Sequence, residues 1–425
     1  MTGIFATFFV ILISALYSVF GDSKTRKWRL RVCAVVALCY ICSAFIVSFS
    51  FEDGRFFLLN DPARYIERTI YETMSFRSAM QYLSDCYFDF ADNNALYNVF
   101  LSYIGKIYKT RFDEVTPFAL ALTSVFFGIL CSVTLFRILS NYYTPQAAFK
   151  YTLAFSLLSL FHFYSVVVLR DIIIAFFYLL CFEIVQKPFT TKRLIWLILL
   201  MLLAWGVRLY SGLFISLFIM YYLYISSAKT KASFLLIPML LVAIGFIALS
   251  SMTVIEQSVA EIELYQEFTD ERAGAVGGLI TRLLALPPII REISLTFFSQ
   301  ITPFPPYLSF RFVETFSNFY MSSMVLVYEV WWYSISFMLM YMLFVDGQLG
   351  RLVSKDKLIL LIALVFIVAN TAHPDIRRMM PVYPILYFYY LNCKSCMSVK
   401  LFRSKRRGLM AIYCVLLVAY YIIKG

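Results

Sequence analysis

Apolar runs long enough for all or most of a bilayer crossing recur from one end of this chain to the other, and they constrain its fold more than any motif does. A transmembrane helix needs about 20 predominantly apolar residues to cross a hydrocarbon layer about 30 Å thick. The runs fall at 3–20, 32–50, 117–137, 151–169, 172–186, 194–207, 209–228, 233–252, 319–345, 358–371, 379–392 and 409–423. Hydrophobic residues make up 61% of the 425 and charged residues 15%, well under the roughly one quarter usual in globular domains. The expectation is an all-α polytopic membrane protein of about twelve transmembrane helices. It forms one transmembrane domain over 1–425, with no room for a separate globular module. The first run has no basic segment before it and no small-residue cleavage pattern, so it reads as a retained helix and not a signal peptide.

A formal net charge of +12 would suit nucleic acid if it were clustered. Here it is segregated by connection. The segments 24–31, 137–150, 187–193, 229–231, 351–357 and 394–407 hold about twenty-one of the thirty-seven lysines and arginines, and their only acid is Asp356. Basic residues favour the cytoplasmic side. These connections are therefore expected inside, both termini outside, and nucleic acid is not an expected partner.

The outer side is expected to carry two long loops, 51–116 and 253–318. Within the first, Leu96, Val99, Phe100, Tyr103, Ile104 and Ile107 recur at helical spacing, which predicts a helix over 94–108 lying along the membrane surface. The second begins acidic. It then breaks into short apolar segments around Gly274-Ala275-Val276-Gly277-Gly278 and Pro303, Pro305 and Pro306, consistent with interfacial helices.

Three outer connections are the chemically informative ones. Arg170 and Arg208 sit in two very short turns, and the third is Ala372-His373-Pro374-Asp375-Ile376-Arg377-Arg378. The fourteen residues between Arg193 and Arg208 reach only about 21 Å as a helix, so Arg208 is expected below the outer interface. Ionisable groups at such depth are a functional-site hypothesis by default. Guanidinium presents a planar fork that matches phosphate, and the four arginines together would give an outward recess a concentrated positive field. Each arginine alone fits a blander reading, snorkelling to headgroups or, for Arg170, pairing with Asp171.

His373 is one of only two histidines; it fits a donor or proton carrier and equally a helix-end residue bonded to backbone. His162, on an apolar helix, reads as a satisfied core residue. Asp61, in the first outer loop, is placed to take a proton from an attacking hydroxyl, although most such acids are simply solvated. Glu329, mid-helix beside Trp331 and Trp332, is expected to pair inside the bundle. Glu183 and Lys187 are spaced for a structural i,i+4 pair. Nine cysteines show no disulfide framework, and Cys393-x-x-Cys396 lacks the second pair a zinc site needs. No Walker loop, dinucleotide fingerprint, His-Glu-x-x-His or Gly-x-Ser-x-Gly is present.

An acidic first outer loop with Asp61-Pro62-Ala63-Arg64-Tyr65, the 94–108 helix, Arg170, Arg208 and His373 to Arg378 together resemble the EpsG and Wzy-type polysaccharide polymerases. The resemblance implies a GT-C-like membrane glycosyltransferase of lipopolysaccharide or other surface-polysaccharide biosynthesis, in the bacterial cytoplasmic (inner) membrane. It would polymerise undecaprenyl-diphosphate-linked oligosaccharide repeat units into O-antigen or a related polysaccharide at the outer face. It implies Asp61 and His373 as catalytic residues, and Arg170, Arg208, Arg377, Arg378 and Tyr65 as diphosphate- and sugar-binding residues. No metal or cofactor is implied, and a chain-length regulator and a flippase would be partners in the same membrane. The alternatives are a lipid-linked oligosaccharide flippase, which the long outer loops argue against, and a GT-C O-antigen ligase or single-sugar transferase.

Overall fold

The computed structural model describes residues 1–52, 62, 65–67, 69, 78–83, 94–227, 286–300, 315–352, 354–369 and 376–424. Every regular element among them is a helix.

The chain opens with a helical hairpin, α1 (Thr2–Val19) and α2 (Arg26–Glu52). Its turn is closed by Arg29, which is buried at 1% exposure. Arg29 donates from Nε to the Ser18 carbonyl at 2.8 Å and from Nη1 to the Asp22 carbonyl at 2.9 Å. The last carbonyls of a helix lack intrahelical partners and attract positive charge, so one guanidinium finishes α1 and fixes the start of α2. Next comes α3 (Ala95–Phe112), which ends where Asp113 takes a left-handed conformation and returns its N–H to the Lys109 carbonyl. Asp is one of the few side chains that tolerate this conformation. The helix buries Tyr97, Asn98, Leu101 and Ser102 against the bundle, so it docks on protein instead of lying free along a surface.

The scaffold around the site is built on α4 (Pro117–Leu139). Thr116 caps its first turn by accepting from the Ala119 N–H at 3.2 Å, and Pro117 occupies the first helical position, where a missing N–H costs nothing. It packs against α1, α2 and α7. Gly128 allows the closest approach, because a Cβ there would stand 2.6 Å from Ser165 Oγ and 2.8 Å from the Tyr40 ring.

The expected helix at 151–169 is interrupted. α5 (Pro145–Leu158) stops at Ser159, which caps the short α6 (Leu160–Ser165) by accepting from the Phe161 N–H at 3.2 Å. A serine hydroxyl competes with the helical ladder for backbone partners, and no Pro or Gly is needed for the break. Val166 to Leu169 then run non-helical although fully buried. Ser124 of α4 satisfies that stretch in part, accepting from the Leu169 N–H at 3.2 Å.

α7 (Asp171–Val185) follows and is the hub of the bundle. Almost all of its residues are buried, as expected of a helix apolar on every side. It is enclosed by α4, by the hairpin of α8 (Thr191–Val207) and α9 (Leu209–Ser227), and by a 3-10 turn at Met380–Val382. The remaining described helices are α10 (Pro288–Ser299), α11 (Phe316–Met340, extended by a π turn at Tyr341–Val345), α12 (Gln348–Arg351), α13 (Ser354–Ala369), α14 (Ile376–Met379), α15 (Tyr383–Ser395) and α16 (Val399–Lys424).

The expectation of about twelve transmembrane helices in a GT-C-like arrangement is corrected. Among the described residues four helical stretches are long and apolar enough to cross a membrane: Thr2–Val19, Ser23–Phe49, Pro117–Leu139 and Phe316–Val345. The physical reason is length and charge. α5, α7, α8, α13 and α15 have 14, 15, 17, 16 and 13 residues, about 20–26 Å at 1.5 Å per residue, short of a layer about 30 Å thick. α16 is long enough but carries Lys400, Arg403, Lys405, Arg406 and Arg407. The expected helix at 233–252 lies outside the described residues. The multi-pass placement in a bacterial inner membrane, with both termini periplasmic, rests on the twelve-helix count and falls with it.

Candidate anion-binding site

Asp171 opens α7, where a carboxylate is favoured by the positive end of the helix dipole. Its side chain is 3% exposed, and a charge so deeply buried needs partners. Arg208, itself 6% exposed, donates from Nη1 to Asp171 Oδ1 at 2.9 Å. Arg377 brings Nε to 3.8 Å from Oδ2, an ion-pair distance too long for a hydrogen bond. Arg170 directs Nη1 to the Val207 carbonyl at 3.4 Å, which ties the start of α7 to the end of α8. Burial alone would raise the Asp171 carboxyl. Arg208, then Arg377, Arg170 and Arg378, outweigh it and hold the group below its ordinary value. Burial, followed by repulsion from Arg208, lowers the Arg170 guanidinium, with Tyr65 and Asp171 acting in the opposite sense.

Local backbone explains why these groups meet. Arg208 is the single residue between α8 and α9, extended at φ −164° and ψ 120°. Gly212 lets α9 fold back closely, since a Cβ there would meet Trp205 at 2.8 Å. That sharp hairpin aims Arg208 inward at α7. Arg377 and Arg378 lie on α14, directly before the Met380–Val382 turn that packs on α7. Tyr65 is half-buried and stands edge-on to the buried Tyr97 of α3, ring centres 4.9 Å apart. Its hydroxyl donates to Asn94 Oδ1 at 3.4 Å. Burial pushes the Tyr97 phenol well above its ordinary value, with Tyr65 and Asp171 acting in the same sense and Arg170 in the opposite one.

The structure therefore brings together Arg170, Arg208, Arg377 and Arg378 around one carboxylate, with Tyr65 beside Tyr97 and near Arg170. Asp61 and His373 lie outside the described residues. Asp171 and Tyr97 are the members that sequence reasoning missed. The signal for Asp171 was present, as an acid at the start of an apolar helix, but the adjacent Arg170 offered itself as the obvious partner. Arg208, thirty-seven positions away, is the true one.

Other ionisable groups settle into the bundle. His162 is a satisfied core residue. Its Nε2 meets Ser43 Oγ at 2.9 Å, its Nδ1 meets the Tyr328 hydroxyl, and its ring stacks on Tyr40. Glu183 pairs with Lys187 at 2.9 Å, as their spacing predicts, and also with Arg137. Glu329 departs from expectation. It is 1% exposed, and neither carboxyl oxygen has a hydrogen-bond partner among the described residues.

The resemblance to the EpsG and Wzy-type polymerases is likewise corrected, because among the described residues four helical stretches are of spanning length where the resemblance implies about twelve. With that architecture go the glycosyltransferase, flippase and ligase readings and the O-antigen and lipopolysaccharide assignments. The expectation of a glycosyltransferase enzyme rested on that architecture and loses its support with it. The described residues assemble a charge cluster around Asp171, and no group of three or more His, Cys, Asp and Glu among them is placed to hold a metal ion. Compared with protein-family models, with curated proteins and with solved structures, the chain finds no match.

Proposed function

We propose that this chain is a helical binding protein whose ligand carries a phosphate or diphosphate group, held by Arg170, Arg377 and Arg378. The observation that carries this reading is the convergence of four guanidiniums, from three separate segments, on the single carboxylate of Asp171. Arg208 is committed to Asp171 and makes the rigid floor. Arg170, Arg377 and Arg378 are half-buried, which leaves them within reach of a ligand while limiting competition from water. Guanidinium is suited to this task because its fork binds phosphate oxygens in pairs. Tyr65, half-buried beside Arg170, supplies a ring edge and a hydroxyl for the group that bears the phosphate. A polyprenyl diphosphate carrying a saccharide fits that chemistry, and so does a free diphosphate.

The test is ligand-induced stabilisation of the purified full-length chain by inorganic diphosphate. A ligand at one hundred times its Kd stabilises by about 2.7 kcal/mol, a readily measured rise in Tm. The rise is expected in the wild type and is expected to vanish in Arg377→Gln/Arg378→Gln. An equal rise in that variant, or none in the wild type, refutes the reading. A larger rise with a polyprenyl diphosphate than with inorganic diphosphate assigns the lipid-linked form.

A further inference from the structure

A second concentration of cations lies where α15 meets α16, apart from Asp171 and its arginines. A cavity of about 680 Å³ there is lined by Lys394, Arg403, Arg406 and Arg407, with Tyr151 and Phe402 among its walls and no carboxylate. Among the described residues none of these four cations lies within ion-pair distance of an acid; the ion pairs there involve Arg137, Lys187, Arg208 and Arg377 instead.

Two of the four cations, Lys394 and Arg406, are held by neighbouring side chains. Lys394 Nζ sits 5.6 Å from the Tyr151 ring centre and 5.3 Å from that of Phe402, within the range of cation–π attraction. Arg406 donates from Nε to Ser334 Oγ at 2.8 Å, which anchors the guanidinium to α11. Burial, then the charge of Arg406, holds the Lys394 ammonium below its ordinary value. Like charges crowded into a concave site cost energy that a bound anion recovers. The other half of α16 continues away from the cavity as an exposed apolar surface, with Ile412 at 58% and Val415 at 67% exposure.

We propose that this cavity binds a phosphate monoester, gripped by Arg403, Arg406 and Arg407 and backed by Lys394. The ester is either the headgroup of an anionic lipid, whose chains would follow the apolar surface of α16, or a free phosphorylated compound. It is distinct from the ligand proposed for Arg377 and Arg378, and the two sites share no residue.

Three probes separate the sources: short-chain phosphatidic acid, glycerol 3-phosphate and, as the phosphate-free control, short-chain diacylglycerol. Binding to the detergent-solubilised full chain is measured for the wild type, Arg403→Gln/Arg407→Gln and Arg377→Gln/Arg378→Gln. Arg403 and Arg407 are exposed, so their replacement leaves the fold intact. Loss of each arginine is expected to weaken binding at this cavity about ten-fold, while the Arg377/Arg378 variant, which removes the other proposed phosphate site, keeps the share of binding that this cavity supplies. Phosphatidic acid binding far more tightly than glycerol 3-phosphate supports the site with a lipid ligand, and equal binding supports it with a free phosphate. Binding no tighter than to diacylglycerol, or undiminished binding in the Arg403/Arg407 variant, overturns the proposal.

Discussion

Replacing Asp171 with Asn tests whether the arginine cluster is a buried electrostatic unit. The substitution keeps the shape of the side chain and removes one charge. Arg208 is then left 6% exposed, with the partner it held at 2.9 Å neutralised, and Arg170, Arg377 and Arg378 lose the attraction of the Asp171 charge. With an effective dielectric constant near 20, a 2.9 Å separation corresponds to a gross attraction of about 6 kcal/mol, and the 3.8 Å contact of Arg377 to about 4 kcal/mol. Desolvation has already taken back much of this, and breaking one buried pair is expected to cost about 3–5 kcal/mol net. A solvated surface pair would cost about 0–1 kcal/mol. Denaturant unfolding of the wild type, Asp171→Asn, Arg208→Met and the double variant separates the two cases. Each single change is expected to lose about 3–5 kcal/mol. The double is expected to lose clearly less than the sum, because each single change strands a charge that the double does not. A loss below about 1 kcal/mol for Asp171→Asn, or strict additivity, would refute the account of the site as a dry cluster.

Two further outcomes follow from the same physics. Because the folded Asp171 carboxyl lies below its ordinary value of 3.8, its contribution is fully present above that pH and is lost as pH falls through the folded value. Tm should therefore drop on the acid side more steeply in the wild type than in Asp171→Asn, and parallel acid limbs would contradict the shift. Glu329 buries a carboxyl with neither oxygen hydrogen-bonded to a described residue, a penalty of about 1–3 kcal/mol. Glu329→Leu should accordingly raise stability by a similar amount, and a loss of more than about 1 kcal/mol in thermal unfolding would show that the carboxyl has a partner or a task.

Helix positions were largely legible in the sequence because their termini carry local chemistry. The run at 117–137 becomes Pro117–Leu139, bounded by a Thr116 cap that composition makes plain. The run at 151–169 misled because Ser159 breaks it through a hydroxyl, a device with no signature in hydropathy. The number of crossings misled for a related reason. A short helix wrapped by protein and a helix wrapped by lipid are equally apolar, and α7 belongs to the first kind. Within the site, Arg170, Arg208, Arg377 and Arg378 stood out because charges are scarce there. Their common focus did not, since it depends on a one-residue hairpin at Arg208 that only the fold displays.

The complete enclosure of α7 also bears on how this chain is assembled. Its neighbours arrive in sequence order, α4 before it and α8 with α9 immediately after, but the Met380–Val382 turn follows it by about two hundred residues. Until that distant segment is made, one flank of the most apolar part of the bundle is open and Asp171 lacks the charge of Arg377. Closure of the hub is thus a late, long-range event carrying the entropy of a very long loop. The growing chain must keep that flank covered, or away from other apolar surfaces, until its last third has been synthesised.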